Sequence, residues 1–159
     1  MRRIEESILI DRPCEQVFGY LSNRTNDPAW MVAVRESHWL DRDESVAPAW
    51  IGRRGRMVME VRGKPVEFID EVTDFRPGRR VAHRTVEGPF PLQTACVCEP
   101  AGEGCRATVV GEAERLVRGP LRWLVEPLIA RQVRRSFRAD LARLKEILEQ
   151  TARVERADR

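Results

Sequence analysis

The 159-residue sequence lacks any apolar run long enough to cross a bilayer: even Leu121 to Ile129 is broken by Arg122 and Glu126, whereas a spanning helix needs roughly 18 uninterrupted apolar residues. No Pro/Gly/Ser-rich linker divides it either, so a single domain over residues 1–150 is expected, with residues 151–159 as a frayed tail. The first residues, Met1-Arg2-Arg3-Ile4-Glu5-Glu6, are not followed by an apolar stretch of signal-peptide length, because Asp11 and Arg12 interrupt it. Four cysteines without a secretory signal read as reduced thiols, and a cytoplasmic location follows as the expectation. A glycine-rich phosphate cradle is also missing, since Gly52-Arg53-Arg54-Gly55 has neither the spacing nor the strand-to-helix setting. No nucleotide or other cofactor is expected.

Lysine is scarce, with Lys64 and Lys145 standing among many arginines, and the net charge is only +3. Apolar residues make up 42% and charged residues 33%, mixed in sign along the chain, which excludes a disordered polyelectrolyte and favours one packed core.

What is present is a pattern of periods. Ser7 to Ile10 reads as a strand that stops at Asp11-Arg12-Pro13, where proline suits a helix start, and Val17, Phe18 and Leu21 then recur at helical spacing. After the break from Ser22 to Pro28, Ala29 to Val32 reads as one helical turn entering a strand from Ala33 to Leu40. Beyond a polar stretch around Asp41 to Ser45 come five runs: Arg54 to Arg62, Pro65 to Phe75, Arg79 to Glu87, Leu92 to Glu99 and Cys105 to Leu116. Their connections are too short for parallel crossovers, so they predict an antiparallel meander. From Pro120, apolar residues step by three or four from Leu121 through Phe137 to Leu148, which predicts one long amphipathic helix with a kink or restart at Pro127. The fold class is therefore α+β: a curved antiparallel sheet of about seven strands, in the order β-α-α-β6-α, wrapped around a long C-terminal helix.

Alternation across each strand selects the face without Glu and Arg as the inner one: Met57, Met59 and Val61, then Val66, Phe68 and Val72, then Val81, His83 and Thr85, with Asp70 among them. Tight turns would pair Val61 with Val66, Phe75 with Arg80, Glu87 with Leu92 and Cys98 with Cys105. The resulting rows are Met57, Asp70, Thr85, Thr94, Val109 and, beside it, Val72, His83, Cys96, Ala107. The last strand turns the small residues Cys105, Ala107, Val109, Gly111 and Ala113 inward, which predicts unfilled space under the helix.

Together, Ile8-Leu9-Ile10-Asp11-Arg12-Pro13 with Val17-Phe18, Trp30, Gly52-Arg53-Arg54, Glu71 to Pro77, Gly88-Pro89-Phe90-Pro91 and Leu141-Ala142-Arg143-Leu144-Lys145 give the chain a resemblance to the START/Bet v 1-like (SRPBCC) superfamily, in particular its polyketide cyclase/dehydrase-like bacterial members. The resemblance spans almost the whole chain and implies the helix-grip fold, with a cavity between sheet and long helix for lipids, polyketides or other hydrophobic compounds. It carries over no catalytic motif.

Asp70 and His83 are diagonal neighbours in the inferred register, close enough for a carboxylate to orient the imidazole for acid–base work. Satisfied buried polar groups are the competing explanation, and no catalytic residue is assigned beyond these two weak candidates. Cys96, Cys98, Cys105 and His83 form a ligand set that zinc would accept. A Cys-x-Cys on a flat strand chelates poorly, so no metal is expected. A ligand-binding lining of Trp30, Met57, Met59, Phe68, Asp70, His83, Thr85, Phe90, Thr94, Cys96, Val109 and Phe137 is expected, against ordinary core packing. Arg118, Arg122, Arg131, Arg134, Arg135, Arg138 and Arg143 make the helix basic. A solvated face explains most of this; nucleic acid is not expected as a partner, while peripheral membrane contact stays open.

The sequence thus supports a binding module for a small hydrophobic ligand, acting as a monomer or homodimer. The alternative is an aromatase/cyclase-type enzyme using the polar cavity residues for proton transfer. A protein-interaction module is a third reading, without specific support.

Overall fold

The structure, a computed structural model, describes residues 2–40, 50–113 and 122–157. Strand β1 (Arg2–Ile10) leads through Pro13 into α1 (Cys14–Ser22), then through a 3-10 turn (Arg24–Asn26) into the short α2 (Asp27–Trp30). Six strands follow: β2 (Val34–Trp39), β3 (Arg54–Val61), β4 (Lys64–Arg76), β5 (Arg80–Glu87), β6 (Leu92–Ala101) and β7 (Gly104–Ala113). Helix α3 (Arg122–Ala157) closes the chain. The seven strands form one antiparallel sheet in the order β1-β7-β6-β5-β4-β3-β2. The first strand crosses to pair with the last, as a helix-grip sheet requires.

Two hairpins are tighter than the sequence suggested. Val61 pairs with Lys64 across an Arg62-Gly63 turn, and Ala101 pairs with Gly104 across Gly102-Glu103. In both turns a glycine takes the positive φ that two-residue hairpin loops demand (Gly63 +75°, Gly102 +62°). Cys98 therefore faces Ala107 rather than Cys105, and the β5–β6 ladder is displaced by two residues as well, with Arg84 opposite Gln93. A slip of two leaves every side chain on its own face, so the inward sets of β3, β6 and β7 survive although their row partners change. Met57 stands beside Phe68, and Gly55 beside Asp70.

One bulge does change a face. The β4–β5 register shifts between Val72 and Asp74, so Phe75 pairs with Val81 and joins the inner side, where strict alternation would have turned Asp74 inward.

Helix α3 continues through Pro127 to Ala157. No restart interrupts it, and the tail read as frayed after Gln150 keeps a helical backbone, in keeping with the high propensity of Ala152, Arg153, Glu155 and Arg156. The polar stretch from Asp41 to Ser45, the end of the last strand at Leu116, Arg118 and the start of the helical stripe at Leu121 lie outside the described residues. Polar contacts pin α3 along β1: Arg138 Nε donates to Glu6 at 2.8 Å, Lys145 Nζ to the Leu9 carbonyl at 2.6 Å, and Glu149 accepts from Asp11 N at 2.9 Å. On its other side, Asp140 accepts from Val32 N at 2.8 Å.

The interior divides into two ends. At one end Ile10, Val17, Leu21, Val72, Val81, Cys98, Cys105, Ala107, Leu141 and Leu144 are packed into a closed core between α1, α3 and the sheet. Toward the other end the inward residues Met57, Met59, Thr85, Thr94 and Phe137 remain partly accessible.

Candidate functional site

Between those two ends lies a buried polar cluster. Arg24, in the 3-10 turn, is 4% exposed, and its Nη2 donates to Asp70 Oδ1 of β4, itself 5% exposed. The guanidinium lies over the Trp39 ring, with Cζ 5.0 Å from its centroid. It also rests on β3 at Gly55, where an added Cβ would overlap the guanidinium. That close approach accounts for a glycine in mid-strand. His83 of β5 brings Nδ1 to 3.4 Å from the same Asp70 oxygen. This separation is longer than an ordinary hydrogen bond, so the coupling is chiefly electrostatic. The imidazole side chain is 19% exposed although its Nδ1 is covered, so the exposure falls on the rest of the ring.

Asp27, at the start of α2, is the second carboxyl of the cluster and accepts from the Ser37 hydroxyl at 2.8 Å. Burial pushes its pKa up to about 6, against the hydrogen bond from Ser37 and the charges of Arg24 and His83, which pull it down. Asp70 goes the other way. Burial alone would raise it, but His83 and Arg24 together outweigh that and hold its carboxyl below the usual range. Two acids that both feel the charge of Arg24 are thus separated in affinity for a proton, the arrangement that assigns acid and base roles where chemistry occurs.

An aromatic and cationic stack covers the cluster. The Arg53 guanidinium lies 4.2 Å from the Trp39 centroid, Trp50 stacks on Phe75 at 4.2 Å and 4°, and Phe75 meets Phe18. Within the cluster, Arg24 Nη1 and His83 Nδ1 are buried nitrogens without a hydrogen-bond partner among the described residues, as is Trp30 Nε1 in the neighbouring core. Such groups are costly unless water or a ligand meets them.

The lining expected from sequence sorts into three groups. Asp70 and His83 come together as diagonal neighbours, with Thr85 opposite Asp70 and Thr94 opposite His83. Met57, Met59, Phe68, Phe90 and Phe137 flank the accessible end, Phe68 and Phe90 in an edge-on contact at 5.2 Å. Trp30 and Val109 belong instead to the closed core, and Cys96 packs against its edge between Val81 and Val109. The small residues of β7 do not leave open space. Cys105 and Ala107 are fully buried, and an added Cβ at Gly111 would stand 2.9 Å from the Phe137 ring. They serve close approach of the helices, and the partly accessible inward side chains of the sheet lie on β3 to β6.

The set of Cys96, Cys98, Cys105 and His83 is not assembled. Cys105 lies beside Cys14 of α1 and Cys98, and among the described residues no group of three or more His, Cys, Asp or Glu is placed to hold a metal ion. Burial pushes Cys96 and Cys98 up to about 12 and Cys105 upward as well, so these are neutral, core-type thiols.

Sequence reasoning missed Arg24, Asp27, Ser37 and Trp39. Gly55, alone inside a strand between two arginines, was the one signal that pointed to a close approach there.

A curved antiparallel sheet gripping one long C-terminal helix defines the helix-grip class of proteins. Residues 1–149 match the family described as polyketide cyclase/dehydrase and lipid transport, and the chain belongs to that family. Its structure is similar to TTHA0849 from Thermus thermophilus (20% identity, 91% of this chain and 95% of that one, TM-score 0.75). It is also similar to the Zhui aromatase/cyclase from Streptomyces sp. R1128 (15% identity, 95% of each chain, TM-score 0.75). A START superfamily protein from Mycobacterium smegmatis shares 17% identity over 91% of this chain and 98% of its own, at a TM-score of 0.68. No curated protein matches in sequence.

Proposed function

We propose that the chain binds or carries a small, mostly apolar molecule of lipid, polyketide or aromatic type, held in the cytoplasm between the inner face of β3 to β6 and α3. The observation that carries this reading is the contrast within one interior. Ile10, Cys105 and Ala107 have no exposure at all, while the inward Met57, Met59, Thr85, Thr94 and Phe137 stay partly accessible. Thioethers and an aromatic ring offer an adaptable apolar wall. The unpartnered Arg24 Nη1 suits a ligand with an oxygen acceptor at one end. The lining is Met57, Met59, Phe68, Thr85, Phe90, Thr94 and Phe137, with Asp70 and His83 at the polar floor.

A cyclase-type activity is the second reading, favoured by one feature: His83 is held beside a charged Asp70 with the rest of its ring partly exposed. In that reading His83 exchanges a proton with the bound molecule, while Asp70 fixes the ring and stabilises its charged form. Organic extraction of protein purified without detergent, followed by mass spectrometry, should yield a bound compound. Returning that compound to the apo-protein separates the two readings, because a carrier releases it unchanged and a cyclase converts it. Protein that yields no compound and takes up no apolar probe would contradict both.

A further inference from the structure

The accessible end of the half-barrel carries a surface that the ligand reading does not use. A cleft of about 390 Å³ lies between the α2–β2 link and α3, lined by Val32, Arg35, Gln132, Arg135, Ser136 and Asp140 among others. The lining positions Gln132 and Arg135 continue one helical face toward the N-terminus through Arg131 to Leu128, at spacings of three and four. Leu128 is 65% exposed and Val32 is 52% exposed. Next to the cleft the backbone of Glu60 bonds to Ala33, which brings the β3–β4 hairpin alongside, with Val61 exposed and Arg62 and Lys64 at its tip.

Three exposed aliphatic side chains thus stand among four cations. Arg62, Lys64, Arg131 and Arg135 have no carboxylate partner among the described residues, unlike Arg35, which is paired with Glu60. Exposed aliphatics interleaved with unpaired positive charge match a lipid–water interface, where the apolar groups enter the acyl boundary and the cations meet anionic headgroups. The hairpin adds a second observation. Arg62 holds a left-handed φ of +51°, a position that such a turn ordinarily gives to Asn or Gly. A cation is therefore kept at the tip against local backbone preference.

We infer that this face, centred on Val32, Leu128 and the Arg62–Lys64 tip, docks on an anionic phospholipid bilayer, so that the accessible end of the interior opens toward the membrane. The inference deepens the ligand-carrying reading by naming a bilayer as the place where the ligand is collected or delivered.

Flotation with vesicles of phosphatidylcholine alone, and of phosphatidylcholine mixed with phosphatidylglycerol, tests it. The protein should float with the mixed vesicles and lose that association on raising salt. Arg131→Glu/Arg135→Glu and Leu128→Asp should each weaken association about tenfold or more; all these positions are exposed, so circular dichroism should show an unchanged fold. Arg62→Asn would relax the turn and remove a cation, and should raise stability while weakening vesicle association. Equal binding to neutral vesicles, or undiminished binding by these variants, overturns the inference. So does loss of vesicle association on adding a nucleic acid competitor at equal charge, since that would make the face a polyanion site. Uptake of an apolar fluorescent probe in vesicle-free buffer is measured in parallel. Probe uptake without flotation overturns the docking surface alone, and flotation without uptake overturns the ligand reading alone.

Discussion

Replacing Asp70 by Asn would remove the counter-charge of Arg24 while keeping the side chain's shape. Both side chains are almost fully buried, so solvent screening does not dilute the loss as it would on the surface. Breaking a buried pair by deleting one partner costs about 3–5 kcal/mol, because the remaining charge stays desolvated. With a urea dependence of about 2 kcal/mol per molar, the denaturation midpoint should fall by roughly 2 M. The double replacement Arg24→Leu/Asp70→Leu should recover most of that loss, since removing both charges removes the desolvation cost too. The pH dependence has a definite sign. Asp70 has a folded pKa below its unfolded value, so its stabilisation is present above the ordinary carboxylate range and disappears as pH falls through the folded value. The gap between wild type and Asp70→Asn should therefore close in acid. A midpoint shift worth less than about 1 kcal/mol at neutral pH, the size of a surface pair, would refute the placement of Arg24 and Asp70 in a desolvated cluster.

Asp27 predicts the opposite slope. Its folded pKa stands at about 6 against 3.8, so folding is penalised progressively as pH rises between those values, by roughly 3 kcal/mol at the top. Asp27→Asn should stabilise the protein at neutral pH and leave it unchanged below the unfolded value, as thermal melts at the two pH values would show; no gain at neutral pH would contradict the burial of that carboxyl. Gly55→Ala places a methyl group where the Arg24 guanidinium lies, and should cost about 1–3 kcal/mol in urea denaturation; a neutral outcome would mean that Arg24 does not rest on β3. Cys98 and Cys105, with thiols raised by burial, should resist alkylation in the native state and react at once in urea, followed by peptide mass mapping. Rapid native labelling of either would contradict the closed end of the core.

The backbone architecture was legible because it is written in short-range signals. Periods of two and of three to four marked the strands and the long helix, and Gly63, Gly78 and Gly102 marked the turns between them. Face assignments survived errors in row partners because three of the four ladders slipped by an even number of residues. The bulge at Thr73 could not be read, as nothing in Val72-Thr73-Asp74 distinguishes a bulged strand from a regular one, and it turned Phe75 inward. Asp70 and His83 were legible as a pair because both lie on strands joined by a hairpin. Arg24 was not, because a charged residue in a polar loop is ordinarily solvated, and only the three-dimensional closure of the 3-10 turn over Gly55 buries it. The small residues of β7 show the limit of composition: absent side chains describe either a void or a helix drawn close, and here Phe137 and Leu144 are drawn close.

The proposal of an incompletely filled interior is tested most directly by the stability of Thr94→Leu, at a position between His83 and Gly111 on the inner face. If space remains there, the larger side chain buries new apolar surface, and equilibrium denaturation should show an unchanged or higher stability, up to about 1 kcal/mol, with weaker uptake of an apolar probe. A loss of about 1–3 kcal/mol, the cost of overpacking a filled core, would contradict the account.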